Sequence, residues 1–408
     1  MSAATPPTGS AQVLRPGSMG ADGQAITLGV MGGGQLGRMF VHAAQAMGYY
    51  TAVLDPDPIS PAGRVSHYHV QTDYLDQDGL AQMLQRCAAI TTEFENVPAP
   101  ALLTLGAARP TAPTADAVAI AQDRIQEKVQ LARSGVAVAP YAVIASADDL
   151  AQVSPTLFPG ILKTARLGYD GKGQVRVEHP NELASAWQAL GQVPCVLEQR
   201  LPLAQECSVI VARNGQGDCV AFPVQRNLHH NGILAVTEVY EENVPSALAE
   251  QAVEATKKIA NELHYVGVLC VEFFILQPDS THAQTLGPLI VNEMAPRPHN
   301  SGHYTLDACD VSQFDLQVRT LAGLPLVQPR QHSAAVMLNL LGDLWHPDGS
   351  APDWCSVLAL PGAHLHLYGK LQARPGRKMG HLTLTAPSAE QALATARQAA
   401  QLLGLPAF

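Results

Sequence analysis

Residues 161–177, ILKTARLGYDGKGQVRV, concentrate the groups that could hold phosphates. Strands at 159–163 and 174–177, rich in Ile, Leu and Val, would enclose a loop made of Gly168, Tyr169, Asp170, Gly171, Lys172 and Gly173 and running into Gln174. Glycines let the main chain approach an anion and offer it N–H groups, and Lys163 at the strand end adds a positive charge. The loop is not a Walker A motif, because Gly173 is followed by Gln174 and a strand rather than by Lys-Ser/Thr and a helix. Taken alone, the same pattern also describes an ordinary hairpin whose glycines serve the turn.

Two apolar runs further on, GVLCVEFFIL at 267–276 and LIVNEM at 289–294, read as central strands, yet each carries a glutamate, Glu272 and Glu293. A buried carboxylate is costly unless something positive meets it. On neighbouring antiparallel strands the two could face the same way and hold a divalent cation through oxygen ligands, with Asn292 nearby. Directly after them, residues 295–303 gather Arg297, His299, Asn300, Ser301 and His303 in one turn. A second basic turn, KLQARPGRK at 370–378, includes Lys370 and Arg377. Such turns more often serve solubility, but in an acidic chain this one is assigned to an anion.

The elements that must position these groups start with a strand at 25–31. It runs into Gly32-Gly33-Gly34-Gln35-Leu36-Gly37, a helical pattern to 47, and a strand at 50–54 ending at Asp55. That fits G-x-G-x-x-G, so a nicotinamide oxidoreductase stands beside a doubly wound α/β domain that uses the glycines only for a tight turn. A strand at 89–97 would deliver Glu93 and Glu95. A helix at 116–134 carries Arg124 and Lys128 one turn apart, a spacing that usually marks a solvated face. After strand 141–144 and a short helix near 147–153 come helix 181–190, strand 195–198, a meander at 208–212 and 219–223, and helix 246–263. An apolar segment at 320–325 closes this α+β unit. Strands at 334–341 and 364–368 and a last helix at 390–403 complete a small β-rich unit.

At 408 residues the chain is too long for one ordinary core, and two or three domains are expected. With 15% charged and 47% hydrophobic residues it is globular rather than disordered. A formal net charge of −10 argues against a nucleic-acid groove, so an anionic ligand must be met by local cations. The seven cysteines are scattered without a C-x-x-C pair and read as reduced thiols of a cytoplasmic protein. No apolar run approaches the ~20 residues needed to cross a bilayer. Residues 1–24, rich in Ala, Ser, Pro and Gly, read as a disordered leader.

The motifs LKTARLGYDGKGQ, VEFF, VNEMAPRPHNSGH and ARPGRKMGHL together closely resemble the N5-carboxyaminoimidazole ribonucleotide synthases, ATP-grasp enzymes of purine biosynthesis that use bicarbonate. The resemblance runs from about residue 26 to the end. It implies a Rossmann-like domain at 25–118 that binds no dinucleotide, an ATP-grasp domain at 119–325 with a lid at about 140–212, and a C-terminal β-rich domain at 326–408. It also implies a homodimer. Arg124 and Lys163 would contact ATP phosphates beneath the lid loop from Gly168 to Gln174, with Lys163, Asp170, Lys172 and Arg297 as the catalytic set. Glu198, Gln199, Arg200 and Leu201 would form the strand end against adenine, and Glu206 would take the ribose hydroxyls, with His229 at another nucleotide position. Glu272 and Glu293 would carry Mg2+ beside Asn292. The aminoimidazole ribonucleotide would meet Glu93, Tyr169, Asp170, Lys172, His299, Asn300 and Ser301, with Lys370 and Arg377 on its phosphate. Another ATP-grasp ligase, such as the formate-using glycinamide ribonucleotide enzyme, would share the ATP residues and remains open at this point. An ATP-binding scaffold without activity is disfavoured because both acidic strands are intact.

Overall fold

In the first unit, buried apolar strands alternate with amphipathic helices, the pattern of a parallel sheet covered on both faces. β1 (Thr27–Met31), β2 (Tyr50–Leu54), β3 (Tyr68–Val70) and β4 (Ala89–Thr92) form that sheet in the order β3-β2-β1-β4. The computed structural model describes residues 13–20, 23–168, 172–346 and 348–408. Tyr169, Asp170 and Gly171, and residues 1–12, 21, 22 and 347, lie outside the described residues; the disorder expected over residues 1–24 is corrected at Leu14, which is bound to Ala322 and Tyr49.

The glycine turn after β1 has a different occupant from the one its motif suggests. Gly34 and Gly37 donate their N–H groups to the two oxygens of Glu93, at 2.7 and 2.9 Å. Gly33 donates to Asp55 at 2.7 Å, and the Tyr74 hydroxyl donates to the same Asp55 oxygen at 2.8 Å. The N-terminus of helix Gln35–Ala46 is thus neutralised by the chain's own carboxylates, and a Cβ added at Gly34 would stand 2.4 Å from Glu93 Oε1. A pyrophosphate has no place there, so the nicotinamide reading is corrected: the motif serves the turn. β4 also ends at Thr92 rather than at 97, and Glu93 and Glu95 follow it at the carboxyl edge of the sheet.

A second, antiparallel sheet is built from β5 (Tyr141–Ile144), β6 (Gly160–Thr164), β7 (Gln174–Val177) and β8 (Cys195–Gln199), in the order β5-β8-β6-β7. The glycine loop connects β6 to β7, as expected. The third sheet has nine strands. They are β9 (Leu203–Arg213), β10 (Cys219–Ala221), β11 (Gln225–His230), β12 (Ile233–Val239), β13 (Gly267–Leu276), β14 (Leu289–Ala295), β15 (Ala334–Leu341), β16 (Ala363–Leu367) and β17 (Lys378–Ala386). Their order is β14-β13-β9-β11-β12-β15-β17-β16, with β10 on the side of β9. The pairing of Val236 with Leu338 continues the sheet from the middle of the chain into its last unit.

Three elements differ from the sequence reading, each for a visible reason. The helix expected at 116–134 is two, Ala115–Ala121 and Arg124–Arg133, because Asp123 caps the second by accepting from Ile125 N–H at 3.0 Å. The meander includes the unforeseen hairpin β11–β12, whose turn is Asn231-Gly232, both with positive φ, at 52° and 79°. The apolar segment at 320–325 is the end of a buried helix, Gln313–Ala322, opened by a Ser312/Asp315 capping box and closed by Gly323 at φ 68°. That helix joins two cores. Val318 and Leu321 pack with β1 and β2 residues, while Leu316 packs with Ile210 and Cys270.

Gly32 has φ +103°, and a Cβ there would lie 2.4 Å from Glu93 Cγ. Gly32→Ala is expected to lower stability by ~1–3 kcal/mol in a denaturant titration, the usual cost of a forced backbone conformation. A change within error would mean the turn relaxes freely.

Candidate active site

A cavity of about 1050 Å³ is lined by residues of the second and third sheets and of the elements around them, including the segment just past β4 of the first sheet. Glu93 faces it from just past β4, Lys163 and Gln174 from the second sheet, and Glu206, Glu272 and Glu293 from the third. Gly168, Lys172, Arg124, His229, Asn292, Arg297, His299 and Asn300 are also on its wall. Its polar surface and size suit a nucleotide with a second small anionic substrate.

Glu272 and Glu293 are direct partners in the antiparallel β13–β14 register, so their side chains share a face. The register shifts just after Glu272, and such a bulge re-aims side chains at a site. Each carboxylate has a cationic or polar neighbour. Arg124 Nη1 lies 3.0 Å from Glu293, and His299 Nε2 lies 3.0 Å from Glu272. Burial would raise the Glu272 carboxyl, but the His299 imidazole and then His229 hold it well below its usual range. Asn292 Oδ1 is buried without a partner. Two carboxylates and an orphaned amide oxygen form a hard-oxygen donor set that fits Mg2+.

Behind His299 runs a polar chain. Its Nδ1 lies 2.9 Å from Ser301 Oγ, which lies 2.8 Å from Ser208 Oγ, and Asn227 donates to that hydroxyl at 2.8 Å. Because Ser301 N–H also donates to Nδ1, at 3.3 Å, the proton of His299 belongs on Nε2, pointing at Glu272. Ser301 was expected on the cavity wall and is instead fully buried behind it, holding His299 in place. Asn300 does line the cavity, and both polar atoms of its side chain lack partners.

The sequence reading placed Lys128 on a solvated face, and this is corrected: its side chain is fully buried. It donates to the Asn292 carbonyl at 3.0 Å and stands 3.4 Å from Glu198, whose other oxygen accepts from Lys163 at 3.0 Å. Burial would raise Glu198, yet Lys163 and Lys128 bring it down to about 2. The break between the two short helices makes this possible, since it starts a new helix at Arg124 and turns Arg124 and Lys128 towards β14 and β8. Glu127, between them, was not singled out from the sequence. It accepts from Met294 N–H at 2.7 Å, and burial, aided by Glu293, pushes it up to about 7.

One end of the cavity has apolar walls at Ile161, Leu203 and Phe274. Glu206 stands opposite Phe274 in the β9–β13 register, and His229 Nδ1 is 2.6 Å from Glu206. Gln199 ends β8, and Arg200 and Leu201 follow it, with all three side chains turned elsewhere. Gln199 donates to the Thr156 carbonyl, Arg200 pairs with Glu178 at 2.6 Å, and Leu201 is in a buried cluster, which leaves main-chain groups as their contribution.

Arg297 is on the wall but is held by Glu95, whose carboxyl burial would raise and Arg297 brings to about 2. In the basic turn, Lys370 donates to the Lys378 carbonyl at 2.6 Å and Arg377 to the Gln372 carbonyl at 2.7 Å. Neither of the two is on the cavity wall, whereas Lys378, at the end of the same turn, and His303 are. Of the cations in the turn assigned to an anion, Lys378 is the one that reaches the wall.

Removing the Glu198 charge would leave the fully buried Lys128 without its counter-ion, and Glu198→Gln is expected to cost ~3–5 kcal/mol by chemical denaturation. The Glu198 carboxyl sits at about 2 in the folded chain, against about 4.3 for an unfolded glutamate. Its contribution is therefore complete above the unfolded value and is lost as pH falls from there towards the folded one. The substituted chain should show a shallower loss of stability across that interval, and parallel pH profiles would contradict the pairing.

Family models match three consecutive regions. They are a ribonucleotide synthetase pre-ATP-grasp domain at residues 25–122, an ATP-grasp domain at 129–314, and a phosphoribosylaminoimidazole carboxylase C-terminal domain at 335–395. The N5-carboxyaminoimidazole ribonucleotide synthase of Brucella melitensis is 40% identical, covering 92% of this chain and 98% of that protein. The Bacillus subtilis enzyme of the same name is 37% identical over 92% and 93%. Among solved structures, an N5-carboxyaminoimidazole ribonucleotide synthetase in complex with ADP superposes with a TM-score of 0.86 at 35% identity, over 97% of this chain and 99% of that one. The Aspergillus clavatus enzyme, in complex with ADP and 5-aminoimidazole ribonucleotide, gives 0.83 at 30% identity over 93% and 99%. On this similarity, which spans nearly its whole length, the chain belongs to the N5-carboxyaminoimidazole ribonucleotide synthase family of ATP-grasp ligases.

Proposed function

We infer that the enzyme uses ATP and bicarbonate to carboxylate the exocyclic amine of 5-aminoimidazole ribonucleotide. The observation that carries the reading is the same-face pairing of Glu272 and Glu293 in a cavity that also presents Lys163 and the glycine loop. Bicarbonate is a poor electrophile and has to be activated. One of its oxygens takes the γ-phosphoryl group of ATP, releasing ADP and giving carboxyphosphate. The amine nitrogen then bonds to the carboxyl carbon, directly or after CO2 is released in the closed site, phosphate departs, and the amine gives up a proton. In phosphoryl transfer the protein mainly positions groups and neutralises charge.

Glu272, Glu293 and Asn292 would hold Mg2+, which when bound supplies charge neutralisation at the phosphates. Lys163 and Arg124 add fixed positive charge beside them, and His299 keeps Glu272 ionised and oriented. Apolar walls at Ile161 and Phe274 suit the adenine, and Glu206 suits the ribose hydroxyls. The lid loop, with Lys172 on the cavity wall, would exclude water that hydrolyses the mixed anhydride. Tyr169 and Asp170 are assigned there by family resemblance alone. On the acceptor side, Glu93, Asn300 and Lys378 line the cavity, and Lys370 and Arg377 in the basic turn support a role for that turn at the ribonucleotide phosphate. Unpaired cysteines and bacterial purine-pathway relatives support a cytoplasmic location, and the family supports a homodimer.

Coupled detection of ADP, omitting bicarbonate, ribonucleotide or Mg2+ in turn, tests the reading: each omission should suppress ADP release, and undiminished release without bicarbonate would remove it. Glu293→Gln is expected to reduce ATP turnover by at least ~100-fold, on the scale of losing one electrostatic stabiliser, with the melting curve little changed. Normal turnover would take Glu293 out of the metal set. Arg377→Ala should raise KM for the ribonucleotide far more than KM for ATP, and an equal rise in both would give the turn another task.

A further inference from the structure

We propose that Asp307, His366 and His381 form a second cation site, outside the catalytic cavity, for a borderline divalent ion such as Zn2+, Co2+ or Ni2+. Alternation along β16 puts His364 and His366 on one face, and the antiparallel register places His381 of β17 directly opposite His366. The rings of His366 and His381 lie parallel, with centroids 4.5 Å apart. Across from them is Asp307, on the short helix Thr305–Ala308 that follows the turn bearing His299 and Asn300. Its oxygens lie 2.9 and 3.1 Å from His366 Nε2, and His364 Nδ1 is 3.7 Å away. One donor atom from each of Asp307, His366 and His381 falls within 4.8 Å of the others.

Hydrogen bonding to Asp307 would by itself account for His364 and His366, but not for His381. That ring is fully buried, its Nδ1 lies 3.0 Å from the Tyr368 hydroxyl, and its Nε2 has no partner. Buried polar atoms are nearly always satisfied, so a nitrogen left over beside a carboxylate and a second imidazole points to a ligand. With Nδ1–H donating to the Tyr368 oxygen, the Nε2 lone pair is free to coordinate, and the phenol fixes the ring as an orienting partner. Two imidazoles and one carboxylate favour Zn2+, Co2+ or Ni2+, whereas Mg2+ prefers oxygen ligands and suits the Glu272/Glu293 pair.

The position gives the ion a consequence. β17 begins at Lys378, on the cavity wall, and Asp307 follows His299, Asn300 and His303 on the opposite stretch. An ion shared by Asp307 and the β16–β17 hairpin would fix the spacing between these two walls.

The test uses the full chain, stripped with a chelator and titrated with Co2+ in saturating Mg2+, which occupies the carboxylate pair. One Co2+ per chain is expected, with the visible absorption of a nitrogen-ligated ion and displacement by Zn2+. His366→Gln and Asp307→Asn should each weaken binding at least tenfold, while His332→Ala, at an exposed position, should not. Co2+ binding that is absent, fully displaced by Mg2+, or unchanged in His366→Gln would overturn the proposal. X-ray absorption on the unsubstituted Co2+-loaded chain guards against a variant that misfolds: two imidazoles in the first shell support the site, and fewer than two refute it.

Discussion

A carboxylate can stand inside an apolar sheet only if its charge is met there, and this constraint organises the part of the molecule around the cavity. Glu198 is met by Lys163 and Lys128, Glu293 by Arg124, Glu272 by His299, and Glu95 by Arg297. Each partner comes from a different part of the chain from the acid it serves. The lid strand β6, the helix at Arg124, the acidic strands and the first sheet are therefore tied together by charge at the place where a charged substrate must enter. Where both partners are buried, as for Lys128 and Glu198, removing the acid would leave an ion without compensation, a far larger penalty than the pair itself contributes.

The same logic explains why the glycine-rich turn misleads. Its geometry is that of a dinucleotide site, with a strand leading into a helix whose N–H groups point outward. Here Glu93 and Asp55 sit where a phosphate would. The turn thus becomes a device for holding Glu93 at the cavity rather than for binding a cofactor. Motif and role separate because an anion-binding geometry does not specify which anion fills it.

The strands that carry the acidic pair were legible from the sequence, because a long apolar run rarely tolerates a single embedded carboxylate unless a cation meets it. The lid strands were equally clear from their β-branched runs. Less was visible where packing between distant segments decides the outcome. Lys128 looks like a surface residue beside Arg124, and only the break at Asp123 and the arrival of Glu198 from β8 bury it. Ser301 shares a motif with Asn300 and faces the other way. The β11–β12 hairpin could have been read from Asn231-Gly232, but its polar strand QRNLHH hides the alternation, since its inward side chains pair with Ser208 and Thr237 rather than joining an apolar core. Nothing in the order of residues foretold that His366 and His381 would become cross-strand neighbours.

The pairing of β12 with β15 has a mechanical corollary. A sheet that passes without interruption from the acidic strands to the C-terminal hairpin cannot bend sharply between them without breaking main-chain hydrogen bonds, so those two regions must travel as one plate. Among the described residues, the four-stranded sheet bearing the glycine loop shares no ladder with that plate. Displacing that sheet against the plate would therefore break no main-chain ladder.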